Sequence, residues 1–187
     1  MKKNDIRTLT RLALLVAIEL VMKAIGLGSV PVGPLYMSFL TLPIAVGAIT
    51  MGPAAGAVLG GVFGAVSFYD AVTGASAMTG ALFQVSPVNT FILCVGMRVL
   101  MGLCVGLVYR GMENEESEIR SIAALITGLI VCYAFGTYWY VEVYAQSSSA
   151  VGTGTALMTC VVPFLLPDAV KLWLAVMLSR RMKKHLK

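Results

Sequence analysis

Histidine is almost missing from this chain: the only one among 187 residues is His185, in a basic tail. A metal site built on imidazole has no ligands to draw on, and a Ser–His or Cys–His nucleophile pair has no base. Charge is scarce as well, at 12% of residues, about half of what a soluble domain carries. The four cysteines, Cys94, Cys104, Cys132 and Cys160, sit in apolar segments without CxxC spacing. They read as small apolar fillers, not as metal ligands or disulfide partners. No GxxxxGK[ST] loop occurs, so nucleotide phosphates cannot be cradled in the Walker manner and any ATP-driven role needs another subunit.

Hydrocarbon is what the chain has in abundance. Hydrophobic residues make up 58% and the mean hydropathy is +0.87, which points to an integral membrane protein, and 187 residues suit one domain, 1–187. Six apolar stretches stand out, at 9–26, 37–52, 54–70, 86–110, 121–144 and 157–179. The first begins like a signal peptide, but Glu19 interrupts the apolar run and no clean A-x-A site follows, so it reads as a retained first helix. The second and third are short for a span of about 20 residues and meet at the tight turn Met51-Gly52-Pro53. The expected fold is all-α, with six transmembrane helices.

The basic residues set the orientation. With both termini cytoplasmic, eleven of the fourteen Lys and Arg residues fall inside, and the outer loops 27–36, 71–85 and 145–156 contain none. That asymmetry satisfies the positive-inside rule. The net charge of +5 is therefore a topology signal and no argument for nucleic-acid binding. Glycines at 52, 56, 60 and 64, and again at 102 and 106, predict close helix packing within the chain. Ala13 and Ala17 form a second pair of small residues four apart.

Chemistry must come from charges placed at membrane depth, each costing about 2.5–3.5 kcal/mol on insertion scales. Glu19 and Lys23 are four apart in the favourable order and are expected to pair. Arg98 stands alone in ILCVGMRVLMGLC and needs a carboxylate, carbonyls or a substrate anion. Asp168 and Lys171 lie on adjacent faces of the last helix, behind Pro163 and Pro167, which free nearby carbonyls. Glu115, Glu116 and Arg120 spell EExxxR, as in membrane-embedded CAAX-type proteases, but the histidines of that family are absent and the motif reads as a solvated loop. Tyr36, Phe68, Tyr69, Phe83, Tyr138, Trp139, Tyr140 and Tyr144 gather toward the expected outer side. Such a set forms an interfacial belt or roofs an outward-facing pocket.

At the level of motifs the chain resembles a known family. The run VPVGPLYMSFLTLPIAVGAITMGPAAG (30–56) resembles the substrate-binding S-components of energy-coupling-factor vitamin transporters. The stretches GTYWY (136–140) and VVPFLLPDAVKLWLA (161–175) are similar to the biotin type, whose last helix carries a Pro-Phe…Asp-x-x-Lys signature. Pro167 departs from the glycine usual before the Asp. The section 83–102 looks more like the pantothenate type and uncharacterised S-components.

The resemblance implies a high-affinity vitamin-binding subunit of a bacterial plasma-membrane importer, multi-pass and embedded in the lipid bilayer. Such a subunit needs no cofactor and is no enzyme. Its implied partners are a transmembrane coupling subunit and two ABC-type ATPases, with Ala13 and Ala17 as the docking motif. The implied ligand is biotin, or alternatively pantothenate or another vitamin. Asp168 and Lys171 belong to the ligand pocket by the same resemblance. Arg98, Asn89, Trp139 and Tyr140 are further expected pocket residues, and loop 27–36 is an expected lid. The rival reading is a stand-alone secondary carrier or small channel with a relay through Glu19, Asp168 and Lys171. The sequence has no evident inverted repeat to support it.

Overall fold

In hydrocarbon every backbone N–H and C=O must find its partner within the chain, so long apolar runs fold as helices. The computed structural model of the protein describes residues 3–27, 30–32, 35–112, 117–145 and 165–186. Among these, α1 is Lys3–Ala24, α2 Thr41–Met51, α3 Pro53–Thr73 and α4 Ala77–Val85. A continuous helix α5 covers Pro87–Gly111, interrupted by a π-helical turn at Ile92–Gly96. The last two are α6, Ser117–Ala145, and α7, Leu165–Leu186.

Helices α3, α5 and α6 contain segments long and apolar enough to cross a membrane, while α2 is apolar but short. Helices α1 and α7 have the length, at 22 residues each, and also carry most of the described basic residues.

Two elements depart from the expected architecture. Strands Val30–Val32 and Leu35–Met37 pair antiparallel, Val30 opposite Met37, so the segment expected as a lid loop contains a small hairpin within an otherwise helical fold. Gly33 and Pro34 at its tip lie outside the described residues. The expected outer loop 71–85 holds helix α4, because AMTGALFQV is itself a short apolar segment that the Gly74 turn (φ +72°) folds back against α3.

Glycine sets the centre of the bundle. Helices α3 and α5 run antiparallel with so little space between them that a methyl group on Gly56 would stand 2.5 Å from the Gly102 carbonyl oxygen. The same applies one turn on, where Gly60 faces the Arg98 carbonyl, and again where Gly64 faces Val95 and the Cys94 carbonyl. Gly106 meets Pro53. The expected stripe thus packs inside the chain, except for Gly52. That residue forms the α2–α3 turn at φ +101° with the Arg110 guanidinium against it. At the same end Arg120 donates from Nε (3.2 Å) and Nη2 (2.9 Å) to the Tyr109 carbonyl and lies over the Tyr109 ring. Glu115 and Glu116 of the EExxxR run lie outside the described residues.

Two apolar clusters flank the glycine seam. One joins Ala45, Ile49, Val105, Leu125 and Val176 from α2, α5, α6 and α7. The other joins Leu15 of α1 to Ile44, Leu59, Phe63 and Met101. Helix α1 buries only this stripe. Leu14, Leu20 and Val21 on its remaining faces are at least half exposed.

The expected Glu19–Lys23 pair does not form. Lys23 donates instead to Asp70 at the end of α3, a residue that the sequence reading had not singled out. Glu19 points with Leu15 into the α1–α2–α3 contact and is 1% exposed, and neither carboxyl oxygen has a partner among the described residues. Along one helix an i,i+4 pair gains a few tenths of a kcal/mol, and the cross-helix carboxylate wins.

Candidate functional site

A narrow cavity of about 40 Å³ opens between α2, α5, α6 and α7, room for a few water molecules. Its walls are almost wholly apolar: Leu42 and Ala45 from α2, Met101 and Val105 from α5, Leu125 and Leu129 from α6. Gly128 lets α5 approach α6 here, since a methyl group at that position would run into Val105. Its polar lining residues are Asp168 and Lys171 of α7 and Thr41 at the start of α2.

The acidic and basic groups of α7 are joined. Lys171 Nζ donates to Asp168 Oδ1 at 2.8 Å, three residues away, and the lysine is 8% exposed. The other carboxylate oxygen, Oδ2, accepts a short hydrogen bond from the Tyr133 hydroxyl of α6. Both oxygens of Asp168 are thus taken by donors from the chain. Lysine carries three donors, and among the described residues one bond of Lys171 stands against them. Thr41 Oγ1 is buried with no partner among the described residues.

The remaining expected residues fall at other places. Arg98 leaves the cavity wall and lies over the Phe63 ring at 4.2 Å. Its Nη1 donates to the Cys94 carbonyl at 2.9 Å. That carbonyl belongs to the π-helical turn, where the regular i+4 partner is displaced and a carbonyl becomes available. No carboxylate pairs with Arg98 among the described residues, and its Nε is buried without a partner.

Asn89 and Trp139 do come together. The indole Nε1 donates to the Asn89 main-chain carbonyl at 3.1 Å, tying α5 to α6, and the ring stacks on Phe135 at 5.4 Å. This contact lies outside the cavity lining. Phe68, Phe83 and Phe91 form an edge-to-face cluster between α3, α4 and α5. The side chain of Tyr140 and all of Pro163 lie outside the described residues. Ala13 and Ala17 are both exposed on α1, one turn apart.

Sequence reasoning missed Tyr133 and Thr41. A tyrosine in the middle of the apolar run IVCYAFG signals a hydroxyl that must find a partner in the membrane, and that signal was available. Thr41 offered none, because threonine inside a helix ordinarily satisfies itself on the preceding turn, as Thr50 and Thr127 do here.

The arrangement sets an ion pair, backed by a tyrosine hydroxyl, against an apolar slot, and no nucleophile–base pair lines it among the described residues. A family model described as "ECF transporter, substrate-specific component" matches residues 7–179. No curated protein matches the chain.

Proposed function

From the premise that the chain belongs to the substrate-specific components of ECF transporters, we propose that it captures a vitamin bearing a carboxylate, biotin first and pantothenate as the alternative. Members of this family are substrate-binding subunits for transport across a membrane, not enzymes, and they work with a transmembrane coupling subunit and ATPases.

One observation carries the ligand class: a buried lysine with donors to spare in the wall of an apolar cavity. A carboxylate there gains a charge-assisted hydrogen bond, among the stronger kinds in proteins. The apolar walls take the rest of the molecule. Thr41, whose buried oxygen has no partner among the described residues, lines the same cavity from α2 and supplies a second polar contact. Arg98 extends the positive region toward α5. A vitamin exceeds the cavity's present size, so its entry parts α2 from α6 and α7, and the hairpin at 30–37 that leads into α2 moves with it.

The remaining frame of the reading is six membrane crossings with both termini cytoplasmic, in a bacterial plasma membrane. It rests on the basic ends of α1 and α7 and on their exposed apolar faces, Val21 and Trp173 included. Ala13 and Ala17, exposed on α1, are the surface for the coupling subunit.

The test is thermal unfolding of the purified protein against biotin, pantothenate, pyridoxine, folate, riboflavin and thiamine. A bound vitamin at 100 times its dissociation constant adds about 2.7 kcal/mol, visible as a higher melting temperature. Stabilisation by biotin or pantothenate supports the reading. If only vitamins without a carboxylate stabilise, the ligand class is wrong, and if none does, vitamin capture itself falls.

A further inference from the structure

Each oxygen of Asp168 already accepts a hydrogen bond from the chain: Oδ1 from the Lys171 ammonium and Oδ2 from the Tyr133 hydroxyl. Tyr133 does not line the cavity, whereas Asp168 and Lys171 do. It stands behind the carboxylate, on the neighbouring helix, 35 residues away in sequence. We propose that Tyr133 is a positioning residue for the ligand site. It pins one oxygen of Asp168, so that the other turns the Lys171 ammonium into the cavity as the group that meets the ligand's anion.

The argument is geometric. A free aspartate on α7 rotates about χ1 and χ2 and offers its lysine two equivalent oxygens. Anchoring Oδ2 from α6 removes that freedom, and the single bond from Lys171 to Oδ1 then fixes where the ammonium sits. The same anchor locks α6 to α7 at the height of Asp168, so the spacing of the cavity's two walls and the direction of its one described ammonium are set together. Sharing the carboxylate between two donors also weakens the hold of Asp168 on Lys171, leaving more of the lysine's charge for an incoming anion. This rests on the reading of Lys171 as the ligand's partner and adds a role to a residue that neither the motif resemblance nor the cavity lining marks.

A double-mutant cycle with a ligand-free companion tests it. In detergent-purified protein, binding of biotin and of pantothenate is measured for wild type, Tyr133→Phe, Asp168→Asn and the double variant. Tyr133→Phe is expected to weaken binding about tenfold, the size of one hydrogen bond to a charged group. In the Asp168→Asn background the same change is expected to cost less than about twofold, because a residue acting only through Asp168 has nothing left to act on. Equal losses in both backgrounds would mean that Tyr133 touches the ligand or merely packs, and unchanged affinity in Tyr133→Phe would mean no role; either result overturns the proposal. The companion reads the Tyr133 C–O stretch by infrared difference spectroscopy, without ligand, in wild type against Asp168→Asn. A band shift is expected, and an unmoved band overturns the proposal even if Tyr133→Phe fails to fold. If wild type binds neither vitamin, the functional reading fails by itself, and the infrared result still decides whether Tyr133 holds Asp168.

Discussion

Lys23 reaches across from α1 to Asp70 on α3 while Glu19, one turn away on its own helix, is left buried and unpartnered among the described residues. The two carboxylates therefore answer oppositely to neutralisation. Asp70→Asn strips a partly buried lysine of its partner and is expected to cost about 1–3 kcal/mol, read as a lower melting temperature. Glu19→Gln is expected to leave the melting temperature close to wild type, and Glu19→Leu to raise it. A destabilising Glu19→Leu would mean that the carboxyl has a partner.

Lys171→Met is the sharpest test of the ligand site. The substitution keeps much of the stem that packs in the bundle and removes the ammonium. Binding of a carboxylate vitamin is expected to drop at least 100-fold by isothermal titration. An unchanged affinity removes Lys171 from the site.

Thr41→Val removes a buried oxygen that has no partner among the described residues and keeps the shape of the side chain. Without ligand, the expected change in stability is neutral to favourable by up to about 1 kcal/mol. Affinity for the vitamin is expected to fall several-fold. A drop in stability with unchanged affinity would place Thr41 in the packing alone.

Gly56→Val puts two methyl groups where the Gly102 carbonyl lies 2.5 Å from the first added carbon. Helices α3 and α5 must separate, at about 1–3 kcal/mol or more for overpacking. The melting temperature is expected to fall further than for Gly61→Val, whose neighbour Val99 lies 3.7 Å away.

Ala13→Trp with Ala17→Trp enlarges two exposed positions on α1. Vitamin binding by the isolated subunit is expected to persist, while ATP-driven uptake in vesicles containing the coupling subunit and ATPases is expected to be lost. Retained uptake would move the docking surface off this face of α1.

Much of this was legible in the chain. Apolar run lengths and the Met51-Gly52-Pro53 break gave the helices, because hydrocarbon leaves the backbone little alternative. The glycines at 56, 60 and 64 announced a close approach, and Asp168 with Lys171 marked the candidate site. The partners were not legible. Lys23 and Asp70 are 47 residues apart, Tyr133 and Asp168 35 apart, and only the packing of the bundle brings them together. Local rules favoured Glu19 for Lys23 and gave no warning of Asp70. Helix α4 was missed because nine residues carry too weak a periodic signal, and the π-helical turn because ILCVG looks like any other buried stretch.

That turn has a consequence for how α5 tolerates change. A π-helical turn amounts to one residue more than the α-helical ladder needs. It splits the helix into two lengths with independent angular settings: Met97–Gly111, keyed to the glycines of α3, and Pro87–Phe91, keyed to Phe68 and Trp139. Deleting one residue within 92–96 would restore an unbroken α-helix and leave the contacts of Gly56, Gly60 and Pro53 with Gly102, Arg98 and Gly106 in register. It would swing Phe91 and the Asn89 carbonyl by about 100° around the axis, away from the rings they meet. The spare residue is what lets one helix obey two sets of neighbours.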